Sequence, residues 1–215
     1  MAASVIAIVV CGFSFTIQEN LIHPSYSRPW ILYVHAAVFS AWLLVFGLQT
    51  ALVWSRRVAL HRRLGAYGLV FGAAIPPLGV ATAIAMTRLR VAHGELDPAA
   101  GILIPLFDMV AFTIAFGLGA LWRRWPEWHR RLMFVATCTL TAAAFGRMPI
   151  LDYGEGFYAG VDALIAIGVA RDLIVLRDVH PVYRYALPAL VAGQLLTADV
   201  HRLPWWMANA PSLFR

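Results

Sequence analysis

The tetrapeptide His-Arg-Arg-Leu stands at His61–Leu64 and again at His129–Leu132, each time at the start of a long apolar segment. Neutral imidazole is a common ligand of transition metals and haem iron. Two histidines at matching places in two segments are therefore candidates to face each other as ligands of a haem or a metal. A plainer reading is anchoring, with the arginines meeting lipid phosphates and each histidine capping a helix start or touching a headgroup. The preceding segments also correspond, Phe46-Gly47-Leu48 in one and Phe116-Gly117-Leu118 in the other. That reads as an old duplication of a two-helix unit.

A second group of polar residues lies within the apolar segments. His35, Trp42 and Gln49 follow one another at intervals of seven residues, close to two helical turns, so the three share one helix face. Polar groups inside a bilayer are costly and turn toward the bundle interior or a water-filled cavity. His35 lies about six residues inside its span, roughly 9 Å deep at the helical rise. Asp108, Arg147 and Asp162 fall at comparable depth on three other spans, entered from the same side. His35, Asp108 and Asp162 make an acceptable ligand set for a divalent metal, or a proton-transfer site beside a bound quinone. His23, His93 and His201 in nearby loops could add imidazoles. The structural alternative is an ion pair of Arg147 with Asp108 or Asp162 that locks the helices, because an unpaired charge there costs several kcal/mol, of order 2–4.

The elements that must hold these residues follow from composition. The chain has 215 residues, 61% hydrophobic and 13% charged, with a mean hydropathy of +0.73. Soluble domains are nearer half apolar and a quarter charged, so the expectation is an all-α, polytopic transmembrane bundle forming a single domain over residues 1–215. About 20 apolar residues are needed per span, and seven candidates fit: 2–17, 29–54, 65–87, 101–122, 132–150, 157–176 and 184–200. The first lacks the basic start and small-residue cleavage site of a signal peptide and counts as a helix. Pro76-Pro77 should kink the third. Arg171-Asp172 sits one turn inside the sixth, where both can snorkel. Cys11 and Cys138 lie in separate apolar segments and suggest no disulfide or CxxC site.

All 17 basic residues are arginine and the net charge is +6. The arginines lie between apolar spans, so membrane orientation accounts for them and nucleic-acid binding is not implied. With seven spans, Arg56, Arg57, Arg62, Arg63, Arg123, Arg124, Arg130, Arg131, Arg171, Arg177 and Arg184 share the side of the amino terminus. Arg28, Arg88, Arg90, Arg147, Arg202 and Arg215 share the other. The imbalance puts the amino terminus in the cytoplasm and the carboxyl terminus outside, with Trp205 and Trp206 at the outer interface.

The run His35-Ala-Ala-Val-Phe-Ser-Ala-Trp42, then Gln49, then Leu60-His-Arg-Arg-Leu-Gly65 resembles a widespread group of uncharacterised bacterial multi-spanning membrane proteins. Pro105-Leu-Phe-Asp108, Trp128-His-Arg-Arg-Leu-Met133, Ala136-Thr137 and Arg147 extend the likeness across residues 30–150. More distantly, a histidine opening a span as His-Arg-Arg-Leu-Met is similar to small membrane proteins that assist haem–copper oxidase assembly. That resemblance implies His35, His61 and His129 as metal or haem contacts, although the CxxxC and Met-rich motifs of copper carriers are missing. The sequence shows no nucleophile–base arrangement, phosphate loop, HExxH or dinucleotide fingerprint. Two expectations result for a bacterial inner-membrane protein. One is binding of haem b or a divalent metal through His35, His61 and His129, with Trp42 and Gln49 alongside, in membrane redox chemistry or respiratory-complex assembly. The other is a non-catalytic accessory subunit packed against a larger respiratory or photosynthetic complex.

Overall fold

The computed structural model describes residues 1–95, 101–151, 156–210 and 212, and every regular element among them is helical. In chain order these are α1 (Ala2–Ser14), a π-helical turn (Gln18–Ile22), α2 (Trp30–Trp54), α3 (Val58–Ala92), α4 (Leu103–Leu121), α5 (Pro126–Thr139) and α6 (Ala142–Phe145). A 3-10 turn (Pro149–Leu151), α7 (Gly156–Leu176), α8 (Pro181–Arg202) and α9 (Pro204–Asn209) follow. Arg215, counted above in the charge imbalance, lies outside the described residues.

Among the described residues, α2, α3 and α4 are long and apolar enough to cross a membrane, and α1 is a shorter apolar helix. Their most apolar stretches are 6%, 22% and 39% buried within the protein, respectively, so α4 is central and α2 peripheral. Large apolar side chains point outward along the bundle, among them Leu44, Trp54, Tyr67, Val70, Leu121 and Ile174. An apolar surface this extensive suits lipid rather than water, and the chain is a helical membrane protein.

α4 packs against α3, α5 and α8, α2 lies on α3, and α5, α7 and α8 pack on one another. Trp42 of α2 wedges edge-on between Phe112 and Phe116 of α4, at 5.6 and 5.7 Å between ring centres. Gly72 of α3 permits this close approach: a Cβ there would come within 2.9 Å of Trp42 Cζ3 and would also strike the Phe116 ring.

Several boundaries differ from those the sequence predicts. α3 runs from Val58 to Ala92, through Pro76-Pro77 and well past both ends of 65–87, so the first His-Arg-Arg-Leu lies inside a helix rather than before one. The apolar stretch 132–150 is divided. Pro126, a favoured first helical residue, starts α5 early. At its other end Thr139 and Thr141 hydroxyls donate to the Ala136 and Cys138 carbonyls, bonds that compete with continued helix. α9 carries Trp205 and Trp206 on a short helix of its own. Cys11 and Cys138 are both free thiols.

Candidate functional site

α3 begins at Val58 and α5 at Pro126, which makes His61 and His129 each the fourth residue of its helix. Their backbone amides close equivalent first turns, His61 N–H to Arg57 O at 3.0 Å and His129 N–H to Trp125 O at 2.9 Å. The helices carry the two imidazoles to a common end of the bundle, 6.3 Å apart between ring centres and 73° between planes. Both rings are half-buried.

Each ring is oriented by the helix preceding its own. His129 Nδ1 lies 2.8 Å from the Gly119 carbonyl of α4, which can only accept, so Nδ1 carries the proton and Nε2 is left as the ligating atom. Across from it, the Gln49 amide of α2 reaches His61 Nδ1 at 2.5 Å. With its NH2 toward the ring it donates to Nδ1 and to His61 O (3.1 Å), while its carbonyl accepts from the Gly65 amide (3.2 Å). In this arrangement His61 Nδ1 accepts, so the neutral ring carries its proton on Nε2, the opposite tautomer to His129. Gln49 and Gly119 occupy equivalent places after Phe-Gly-Leu. The second copy therefore puts a backbone acceptor against Nδ1 where the first puts a side-chain donor. Gly119 must be small for this, because a Cβ would lie 2.8 Å from Met133 Cε and 3.2 Å from Leu132 Cβ. Beside the pair, an apolar cleft of about 230 Å3 between α2 and α3 is lined by Val45, Leu48, Leu64, Tyr67 and Phe71, and by Gln49 itself.

The second motif also supplies Arg131, which the sequence places only among the arginines on the side of the amino terminus. It is 2% exposed and makes a two-pronged pair with Asp172 of α7, Nε to Oδ2 at 2.6 Å and Nη2 to Oδ1 at 2.7 Å. Its remaining Nη1 donates to the Glu127 carboxylate (2.7 Å) and backbone carbonyl (2.8 Å). The Arg131 hydrogen bond holds the Glu127 carboxyl below its ordinary pKa, with the Arg130 charge acting the same way against the effect of burial. His180 caps α8 by accepting from Val182 N–H at 3.2 Å and meets Trp128 edge-on. Burial, and then the nearby Arg131 charge, lower its pKa.

At the opposite end the polar residues fall into separate pairs. Asp108 is buried and accepts from Tyr158 Oη at 3.2 Å. Asp162 accepts from Gln194 Nε2 at 3.0 Å. Arg147 donates to Ala143 O and lies over the Phe13 ring at 4.4 Å, so the expected Arg147–Asp108 pair is not formed: an aromatic hydroxyl and a backbone carbonyl satisfy the two groups instead. His35 stacks on Phe39 (3.9 Å), and its Nδ1 and Trp42 Nε1 are buried without hydrogen-bond partners. Among the described residues no three His, Cys, Asp or Glu side chains converge as a metal-holding group. His35, Asp108 and Asp162 thus do not assemble into one, nor do His23, His93 or His201 complete it.

The missed partner was findable. Asp172 sits one turn inside its span, and Arg131 enters from the same side, so the depth-matching applied to His35 and Asp108 would have paired them. No protein-family model, no curated protein and no solved structure matches this chain.

Proposed function

We propose that the protein is a seven-span membrane protein, built on a duplicated two-helix unit, whose His61 and His129 hold one haem b. In this reading the amino terminus is cytoplasmic, and the protein serves redox chemistry or respiratory-complex assembly in a bacterial inner membrane. One observation carries the proposal: two imidazoles in the same helical register, 6.3 Å apart, each held through Nδ1. That separation leaves room for one metal centre held by both rings, since metal–nitrogen bonds are about 2.0–2.1 Å long. A bare divalent ion needs more protein ligands than these two. Haem iron takes most of its ligands from its macrocycle, and His61 and His129 would supply the imidazole nitrogens that complete its coordination. The apolar cleft beside Gln49 offers a surface for a macrocycle edge. Bound there, haem would supply one-electron transfer. The protein's part is to hold His129 through the Gly119 carbonyl with Nε2 free to ligate, and to place His61 opposite, where Nε2 would ligate once the Gln49 amide leaves Nδ1 and the ring proton moves there.

The test is an absorption spectrum with metal analysis of protein purified from its native membrane. A Soret band near one haem per chain, lost in His61→Ala/His129→Ala, is expected. A colourless, metal-free preparation of folded protein would overturn the reading. The accessory-subunit alternative draws on α2, whose apolar stretch is only 6% buried and could pack on a larger complex. It predicts co-purification with that complex in mild detergent.

A further inference from the structure

A second site is suggested at the far end of the α2–α3 hairpin, remote from the histidine pair. There the segment entering α2 meets the last turns of α3, and a cleft of about 430 Å3 is lined by Ser27, Arg28, Pro29, Ala85, Arg88 and Leu89. Its two guanidinium groups have no carboxylate partner among the described residues. Nearby Glu95 is engaged elsewhere: it accepts from Tyr26 Oη at 2.7 Å and pairs with Arg90 at 3.8 Å. Tyr26, fixed by that bond and by stacking on His93 at 3.8 Å, carries the Arg28 guanidinium over its ring at 4.1 Å. Arg28 is thus held in place, with its Nε buried and unpartnered. A planar donor group that is fixed but unsatisfied is arranged for an acceptor the protein does not provide.

We propose that this cleft binds a phosphate group, gripped by Arg28 and Arg88 and accepting from the Ser27 hydroxyl. Guanidinium recognises phosphate by paired hydrogen bonds, and two such groups around one cleft favour a dianion or a phosphodiester over a carboxylate-poor neutral ligand. The first residues of α2 add the positive end of a helix to the same cleft. The phosphate can come from a lipid headgroup reaching into the cleft from the bilayer or from a soluble compound. Nothing in this proposal depends on the haem reading.

The experiment is calorimetric titration of the full chain in mild detergent, at low salt, with dioctanoyl phosphatidylglycerol and separately with inorganic phosphate. Saturable binding of either, weakened about tenfold or more by Arg88→Gln, is expected. Arg88 is exposed and unpaired, so that variant folds; Arg28→Gln should act in the same direction, while Arg124→Gln at the other end leaves binding unchanged. Binding of the lipid alone assigns a headgroup site, and binding of inorganic phosphate assigns a soluble ligand. Absence of binding for both probes, or binding that Arg88→Gln and Arg28→Gln leave intact, overturns the proposal.

Discussion

The copy of His-Arg-Arg-Leu at His61 and the copy at His129 start in the same register and end in different surroundings. In the first, Arg62 and Arg63 are exposed and form no ion pair among the described residues. In the second, the residue equivalent to Arg63 is Arg131, buried and clamped by Asp172 and Glu127. The histidines, by contrast, are placed alike: both are half-buried, both close a first turn, and both are contacted at Nδ1, by a donor in the first copy and an acceptor in the second. The two occurrences of the motif place the histidine alike while using the neighbouring arginine in two ways. The reason is location. α3 faces outward beside peripheral α2, whereas α5 packs against α4, α7 and α8. The histidine pair bridges these two environments, joining the outer hairpin to the core.

Breaking the buried pair should have the largest effect. Asp172→Ala leaves the buried Arg131 Nε and Nη2 without acceptors, with only Nη1 still paired to Glu127, and should cost about 3–5 kcal/mol, seen as a large drop in melting temperature in detergent. Arg63→Ala should change it by under about 0.5 kcal/mol. Equal losses at the two sites would remove the distinction between the copies.

Next come the groups that orient the histidines. Gln49→Leu removes the amide donor from His61 Nδ1, lets the ring carry its proton there and should raise haem retention through purification, with the fold unchanged. No side-chain substitution can delete the Gly119 carbonyl, but Gly119→Ala drives a methyl into Met133 and Leu132 and should cost about 1–3 kcal/mol. Gly117→Ala is its control, since a Cβ there meets nothing within 4 Å. The smallest effect concerns Glu127. Its carboxyl pKa is depressed in the folded protein, so the stabilisation is present above the unfolded pKa and is lost as pH falls through the folded one. Stability should therefore decline in acid, and Glu127→Gln should flatten that decline slightly. An unchanged acid profile would mean that the Asp172 pair alone holds Arg131.

Legibility in the sequence followed the physical signal. α2 and α4 emerge within a residue or two of the expected 29–54 and 101–122, because unbroken apolar runs of that length have few alternatives. The ends of α3 were hidden, since His61-Arg-Arg looks like a connection although polar residues at a helix start are well solvated there. The division between α5 and α6 depends on threonine hydroxyls turning back to carbonyls, a choice that an apolar window does not register. At the site, the repeat brought His61 and His129 to notice, and the seven-residue interval did the same for Gln49. It could not reveal that the Gly119 carbonyl faces the second ring, because a carbonyl is common to every residue and only packing decides which one is presented. The outer set failed to converge for a related reason: Tyr158 and Gln194, neutral and unremarkable in sequence, took the carboxylates first.

The most direct test is a reduced-minus-oxidised difference spectrum of membranes expressing the chain, His61→Ala and His129→Ala at matched protein levels. The account predicts a low-spin, two-imidazole b-type signal in the parent that disappears in both single variants, because one centre needs both rings. A parent without such a signal, or a signal that survives either substitution, would contradict it.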